Sequence, residues 1–305
     1  MTAFRQSGGV CFYMPDDHEW GGDNWDATLT RANTAPSIGA STQAEVDATS
    51  WVCVQAMQQA IAAYADNQTN TDPGVAAQKP SSADAGTSVS QYPPLYFRSG
   101  FTFDGELLPY GESGDVEVFT ISNVMHRSPI AATDNASKTM LGTTQKAWLK
   151  TWLLASTATW KVINSTKKTF KSTSGDNGDT YGEYTTERNE ILDYIASNGI
   201  TGVVWLAGDK HRPHVISQSI AGGYSYDHVC IVGCPIGVPV NALLTGVTTP
   251  GIVWQGSQRC YGWAEFTSTE ALLKIYAVQN DALLWAGRMI SGSNAMSYAS
   301  QRLIA

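Results

Sequence analysis

The most constraining feature of this sequence is an apolar run, ITGVVWLA over 200–207, which breaks at Gly208. Near-continuous apolar runs of this length are typical of strands buried on both faces of a parallel sheet. The segment before it, 185–197, has helical spacing and is followed by Asn198 and Gly199, a common helix stop. The sequence therefore predicts a helix followed by a central strand of an α/β sheet.

The same alternation of strands and helices continues along the chain. The further predicted elements are a helix over 41–66, strands over 95–103, 115–123 and 159–163, a helix over 143–155 and a hairpin over 272–290. Strands alternating with helices favour layering around a mostly buried sheet. No boundary separates the two halves, so we expect residues 1–305 to form a single domain, with 66–94 as a polar loop or linker within it.

Composition excludes several classes of partner. The 19 Lys and Arg residues are outnumbered by 27 Asp and Glu residues, so the chain lacks the positive field that nucleic-acid binding requires. No apolar run approaches the ~18–20 residues of a membrane-spanning helix, and the start, MTAFRQSGGV, does not resemble a signal peptide. Five cysteines are an odd number, which excludes a complete disulfide framework.

Two clusters combine carboxylates with imidazole. The run DDHE at 16–19 lies in a Gly- and Asp-rich segment, and the run GDKH at 208–211 begins where the apolar strand ends. Open α/β sheets present functional loops at such strand ends, and these ligand types suit hard or borderline cations. An acidic loop standing alone is usually only solvated. Taken together, the two clusters favour metal-assisted hydrolysis at one shared centre.

Five motifs carry a family resemblance. They are DDHE at 16–19, LGTTQKAWL at 141–149, STATWKVI at 156–163, YTTER at 184–188 and VVWLAGDKH at 203–211. Their order resembles that of the PhoD-like metallophosphatases, a family of phosphomonoesterases and phosphodiesterases. The resemblance implies an α/β fold, a layered α/β/β/α metallophosphatase-like sandwich, and metal-dependent hydrolysis of a phosphoester substrate.

The resemblance also implies roles for individual residues. Metal ligands are expected at Asp17, Asn24, Asp209 and His211. His18 is expected to be the general acid that protonates the leaving group, and Arg127 to bind the substrate phosphate. The implied cofactors are Ca²⁺ and/or Fe³⁺. The family favours an extracytoplasmic location.

The chain also departs from the family pattern. The family segment LDTRxxR reads ISNVMHR at 121–127, so Ser122 and Val124 replace an acid and an arginine. The family carries a metal-binding half before DDHE, with a GDxxYE segment, and we expect this N-terminal half to be missing here. Three interpretations stay open. The chain is one part of a split phosphatase completed by a second polypeptide, a degenerate relative acting as a structural or binding component of an assembly, or a shortened enzyme with one weaker metal.

Two further histidines are expected to serve structure. His214 is read as a polar group at a strand edge, and His228 lies in an apolar segment, typical of a hydrogen-bonded core histidine.

Overall fold

The computed structural model describes residues 96–108, 112–124, 127–170, 180–209, 212–223, 225–233 and 251–300. These residues form a seven-stranded sheet, a four-stranded sheet and two α-helices. The strands of the larger sheet are β1 (Phe97–Phe101), β2 (Val116–Ile121), β3 (Trp160–Ser165), β4 (Val203–Ala207), β5 (His214–Gln218), β6 (His228–Val232) and β7 (Ile252–Gln255). Those of the smaller sheet are β8 (Cys260–Phe266), β9 (Glu270–Ala277), β10 (Leu283–Ile290) and β11 (Met296–Ser300). The helices are α1 (Gly142–Ala155) and α2 (Thr185–Ser197).

Four neighbouring strands of the large sheet run parallel. The strand order is β1-β2-β3-β4-β6-β5-β7, and the pairs β2/β3, β3/β4 and β4/β6 are parallel. The carboxyl ends of these strands therefore meet at one edge of the sheet, which we call the carboxyl edge. It comprises residues 122–124 after β2, 166–168 after β3, 208–209 after β4 and Gly233 after β6.

Side chains of the parallel strands alternate between two buried faces. Ile163 and Trp205 belong to the core shared with the helices, which includes Leu149 of α1. Val162 and Val204 belong to the core shared with the smaller sheet. Burial on both faces explains why these strands are almost entirely apolar. The described residues thus form helix, sheet and sheet layers, which confirms the predicted α/β sandwich.

Several predicted elements differ in extent from the structure. The helix over 185–197 has the expected bounds, and the hairpin over 272–290 corresponds to β9 and β10. The strand expected from 200 begins only at Val203, because Gly202 adopts a positive φ of 72°. The strand expected to end at Ile163 continues to Ser165, because its polar end also pairs in parallel with β4. The helix over 41–66 and the loop over 66–94 lie outside the described residues, and the single domain stays a prediction.

The described helices are short. They contain 14 and 13 residues, and within the described part of the chain no helix has the length and apolar character needed to cross a membrane.

Gly202 gives a test of the junction before β4. A Cβ added there would overlap the carbonyl oxygen of Thr159, and φ at this position is +72°. We expect Gly202→Ala to lower the free energy of unfolding by more than ~2 kcal/mol, because the left-handed backbone alone costs about 1–2 kcal/mol for an L-residue. The measurement is urea unfolding followed by circular dichroism. Gly199→Ala is the matched control, because φ is +63° there and no atom lies within 4 Å of an added Cβ. Equal losses in the two variants would contradict the steric argument.

Candidate functional site

Asp209, a predicted metal ligand, lies at the carboxyl end of β4. Its backbone has a positive φ of 66°, a left-handed conformation that Asp tolerates better than most residues. The preceding residue is tied to the neighbouring strand, because Gly208 N donates to Thr166 O at 3.1 Å. The turn after β4 therefore holds the Asp209 carboxylate beside the chain that follows β3.

A lysine that the motif comparison did not single out faces this carboxylate. Lys167 Nζ lies 2.9 Å from Asp209 Oδ1, with the side chains 0% and 12% exposed respectively. A buried ammonium is costly unless an anion compensates it, so this ion pair offsets part of the cost of burying Lys167. The cation beside Asp209 is thus the ammonium group of a lysine in the same chain.

Asn123 connects the ends of β2 and β3. Its Oδ1 accepts from Thr166 N at 2.9 Å and lies 2.8 Å from Ser165 Oγ. The same Ser165 hydroxyl lies 2.7 Å from the carbonyl oxygen of Lys167. All four residues are buried, so the backbone that presents Lys167 is fixed by hydrogen bonds on its inner side.

The loop that carries Arg127 is held at both ends. Gln145 of α1 accepts from Ser122 N at 2.7 Å and donates to Ser122 O at 2.8 Å. On the other side, Ser128 N donates to Thr139 O at 2.7 Å, and Tyr184 Oη donates to Ser128 O at 2.6 Å. Arg127 itself is fully buried.

Glu187 joins α2 to the start of α1. Its carboxylate accepts from the Thr139 hydroxyl, from Met140 N at 2.6 Å and from Leu141 N at 3.2 Å. These are amides at a helix N-terminus, where an anion is favoured by the helix dipole. Burial raises the pKa of the Glu187 carboxyl, while those hydrogen bonds and the charge of Lys146 act in the opposite direction. Glu187 of the YTTER motif therefore links α2 to the start of α1 through hydrogen bonds.

The ionisation of Tyr181 is affected by both Asn123 and Glu187. It is fully buried, and burial followed by the negative charge of Glu187 raises the pKa of its hydroxyl well above the usual value. The polar Asn123 side chain opposes that shift. The raised pKa keeps the Tyr181 hydroxyl protonated at neutral pH.

His228 anchors the segment that follows Lys167. Its Nε2 lies 2.8 Å from Thr169 Oγ1, and the ring packs against Phe170 and Trp205. Burial, and secondarily the charge of Arg188, lower the pKa of His228 to about 3. The expected core histidine is confirmed, and it is neutral at physiological pH.

The predicted site residues are only partly covered by the structure. Asp17, His18, Asn24 and His211 lie outside the described residues, so their convergence with Asp209 stays a prediction. Within the described ranges, no group of three or more His, Cys, Asp and Glu side chains could hold a metal ion. Arg127 follows β2 and Asp209 follows β4, and these two strands lie on either side of β3. At a strand spacing of ~4.8 Å, β2 and β4 are about 10 Å apart.

A sequence signal for the missed residues did exist. Strand β3 ends at Ser165 and is followed by the polar run Thr166, Lys167 and Lys168, at the end where open α/β sheets carry their sites. The STATWKVI motif stops before this run. The pairing of Lys167 with Asp209 could not be read from it, because it depends on β3 and β4 being neighbours.

Gln145 should be essential for holding Ser122. Gln145→Met keeps the size of the side chain but removes both hydrogen bonds to a buried backbone. We expect a loss of about 1–3 kcal/mol in the free energy of unfolding and faster hydrogen exchange at the Ser122 amide. Thr144→Ala, an exposed change on the same turn, should cost less than ~0.5 kcal/mol. Unchanged Ser122 exchange in Gln145→Met would show that the loop is held by other contacts.

The low pKa of His228 predicts an acid-sensitive fold. In the unfolded chain the imidazole takes up a proton near pH 6.5, whereas in the folded chain it stays neutral to about pH 3. This contribution to stability is complete above pH 6.5 and is lost between pH 6.5 and 3, at about 1.4 kcal/mol per pH unit. Urea unfolding at pH 7, 6, 5 and 4 measures the slope. His228→Gln should reduce the slope by about one proton, and an identical slope in this variant would contradict the assignment.

Comparison with known proteins supports the scaffold described above. The family model described as PhoD-like phosphatase matches residues 107–231, which include β2 to β6 with α1 and α2. A search of curated proteins gave no match.

Comparison with the solved structure of PhoD shows a shared fold. A structure titled "Structure of PhoD" superposes with a TM-score of 0.61 at 17% sequence identity, covering 95% of this chain and 54% of that one. This chain therefore spans about half the length of the PhoD chain. The structure of GAP50, the anchor in the inner membrane complex of Plasmodium, gives a TM-score of 0.40 at 9% identity, covering 58% of this chain and 49% of that one. Residues 107–231 thus match the PhoD-like phosphatase family model, and the chain shares the fold of the PhoD structure.

Proposed function

We propose that this chain is a phosphoester hydrolase, acting on phosphomonoesters or phosphodiesters, and that its cofactors are metal ions, Ca²⁺ and/or Fe³⁺. The observation that carries the proposal is the position of Asp209, the acid of the GDKH motif, at the carboxyl edge within the PhoD-like segment. The match of residues 107–231 to a family that is generally metal-dependent supports metal ions as the cofactor class. The type of phosphoester and the identity of the metal go beyond what the family comparison gives.

The proposed roles extend the motif assignments. Asp17, Asn24, Asp209 and His211 hold the metal, His18 protonates the leaving alkoxide, and Arg127 binds phosphate oxygens through its planar guanidinium. Asp209 offers a hard carboxylate donor, the ligand type that such cations take, although Lys167 already neutralises it. When bound, the metal neutralises phosphate charge and lowers the pKa of a coordinated water towards ~7.

Removal of the proposed proton donor tests the function. The full chain should hydrolyse p-nitrophenyl phosphate or bis(p-nitrophenyl) phosphate when Ca²⁺ or Fe³⁺ is added. His18→Ala should lower kcat by ~10²-fold or more, because the leaving group then departs without a positioned proton. His214→Gln is the matched control, since this side chain starts β5 and its Nδ1 lies 3.2 Å from the Arg212 carbonyl oxygen. Equal rates in wild type and His18→Ala would remove His18 from the mechanism.

A second candidate function is favoured by one specific observation. The ion pair between Lys167 and Asp209 neutralises a predicted metal ligand without metal. A degenerate PhoD-like protein that serves as a structural or binding component of an assembly would have this property. Absence of hydrolysis with every metal tested would favour this candidate. Mass analysis of polypeptides that co-purify with the chain would then test for a partner, including one that completes a split phosphatase.

A further inference from the structure

The ion pair at the carboxyl edge differs in kind from a surface salt bridge. Lys167 has no exposed side-chain area, its Nζ lies 2.9 Å from Asp209 Oδ1, and the Asp209 side chain is 12% exposed. Exposed pairs contribute little and rearrange freely, whereas a buried ammonium depends on the anion beside it. Asp209 is therefore part of the environment that allows Lys167 to be buried.

Both partners are presented by constrained backbone. Lys167 N donates to Ser165 Oγ at 3.3 Å, and the same hydroxyl lies 2.7 Å from the Lys167 carbonyl oxygen. Asp209 follows Gly208, which is bonded to Thr166, and has a φ of 66°. The side chains therefore meet because the ends of β3 and β4 are fixed next to each other.

The same carboxylate is the proposed metal ligand, and a metal ion there would compete with the ammonium. An ammonium within hydrogen-bond distance of Oδ1 uses an oxygen that a cation would coordinate, and it repels that cation through a poorly hydrated interior. We infer that Lys167 is the resident counter-cation of Asp209 and that it competes with metal ions for this carboxylate. This inference rests on the proposed function for the metal and goes beyond it in assigning Lys167.

Metal titration of lysine variants gives the direct test. Calorimetric titration of the full chain with Mn²⁺ and with Ca²⁺ should show an affinity at least ~10-fold higher in Lys167→Met than in wild type, because the competing charge is gone. Lys161→Met is the matched control. Lys161 is also buried and lies on β3, but its Nζ donates to the Ala158 and Thr201 carbonyl oxygens at the opposite edge. Equal or weaker metal binding in Lys167→Met, or an equal gain in Lys161→Met, would overturn the inference.

A stability cycle tests the pair without any metal. Asp209→Asn should lower Tm by at least about 4 °C in the presence of EDTA, because Lys167 then loses the opposing charge. Adding Lys167→Met to this variant should recover at least half of that loss. Additive losses in the double variant would show that the two side chains are not coupled.

Asp209→Asn by itself covers the case in which Lys167→Met does not fold. A fall in Tm of less than about 4 °C in this variant, measured in EDTA, would overturn the inference. The two proposals can fail separately: hydrolysis with unchanged metal affinity in Lys167→Met removes only the lysine assignment, whereas tighter metal binding in that variant without any hydrolysis removes only the enzymatic function.

Discussion

Burial of the parallel strands on both faces is the constraint on which the rest of this structure depends. The helices cover one face of β3 and β4 and the smaller sheet covers the other, so the faces of these strands are filled by apolar side chains such as Ile163 and Val204. Polar groups that serve chemistry are then concentrated where the strands end. The carboxyl edge follows from the layering.

Charges at a buried edge must be compensated locally. Lys167 is fully enclosed and forms an ion pair with Asp209, the carboxylate that the sequence predicts to bind metal. The family scaffold and the chemistry of its centre are separate properties, since folds are retained while sites on them change. This chain shares the fold of PhoD, and the carboxylate predicted to bind metal is paired with a lysine.

Two residues of the matched motifs have clear structural functions. Gln145 binds both backbone polar groups of Ser122, and Glu187 accepts hydrogen bonds from the start of α1. Such buried polar contacts are costly to break, so motifs around an active site can persist for the sake of the loop geometry alone. Similarity in these motifs therefore supports a shared fold more strongly than it supports a shared reaction.

The sequence by itself determined the apolar central strands, the helix over 185–197, the β9–β10 hairpin and the α/β class, because each depends on local spacing and burial pattern. It also singled out Asp209, which follows a predicted strand, while the resemblance to the PhoD-like family pointed to Arg127. Only the tertiary structure decided that Lys167 faces Asp209 and that Asn123 bonds across to Ser165 and Thr166. Those contacts require the order of strands in the sheet, which joins residues tens of positions apart and leaves no trace in local sequence spacing.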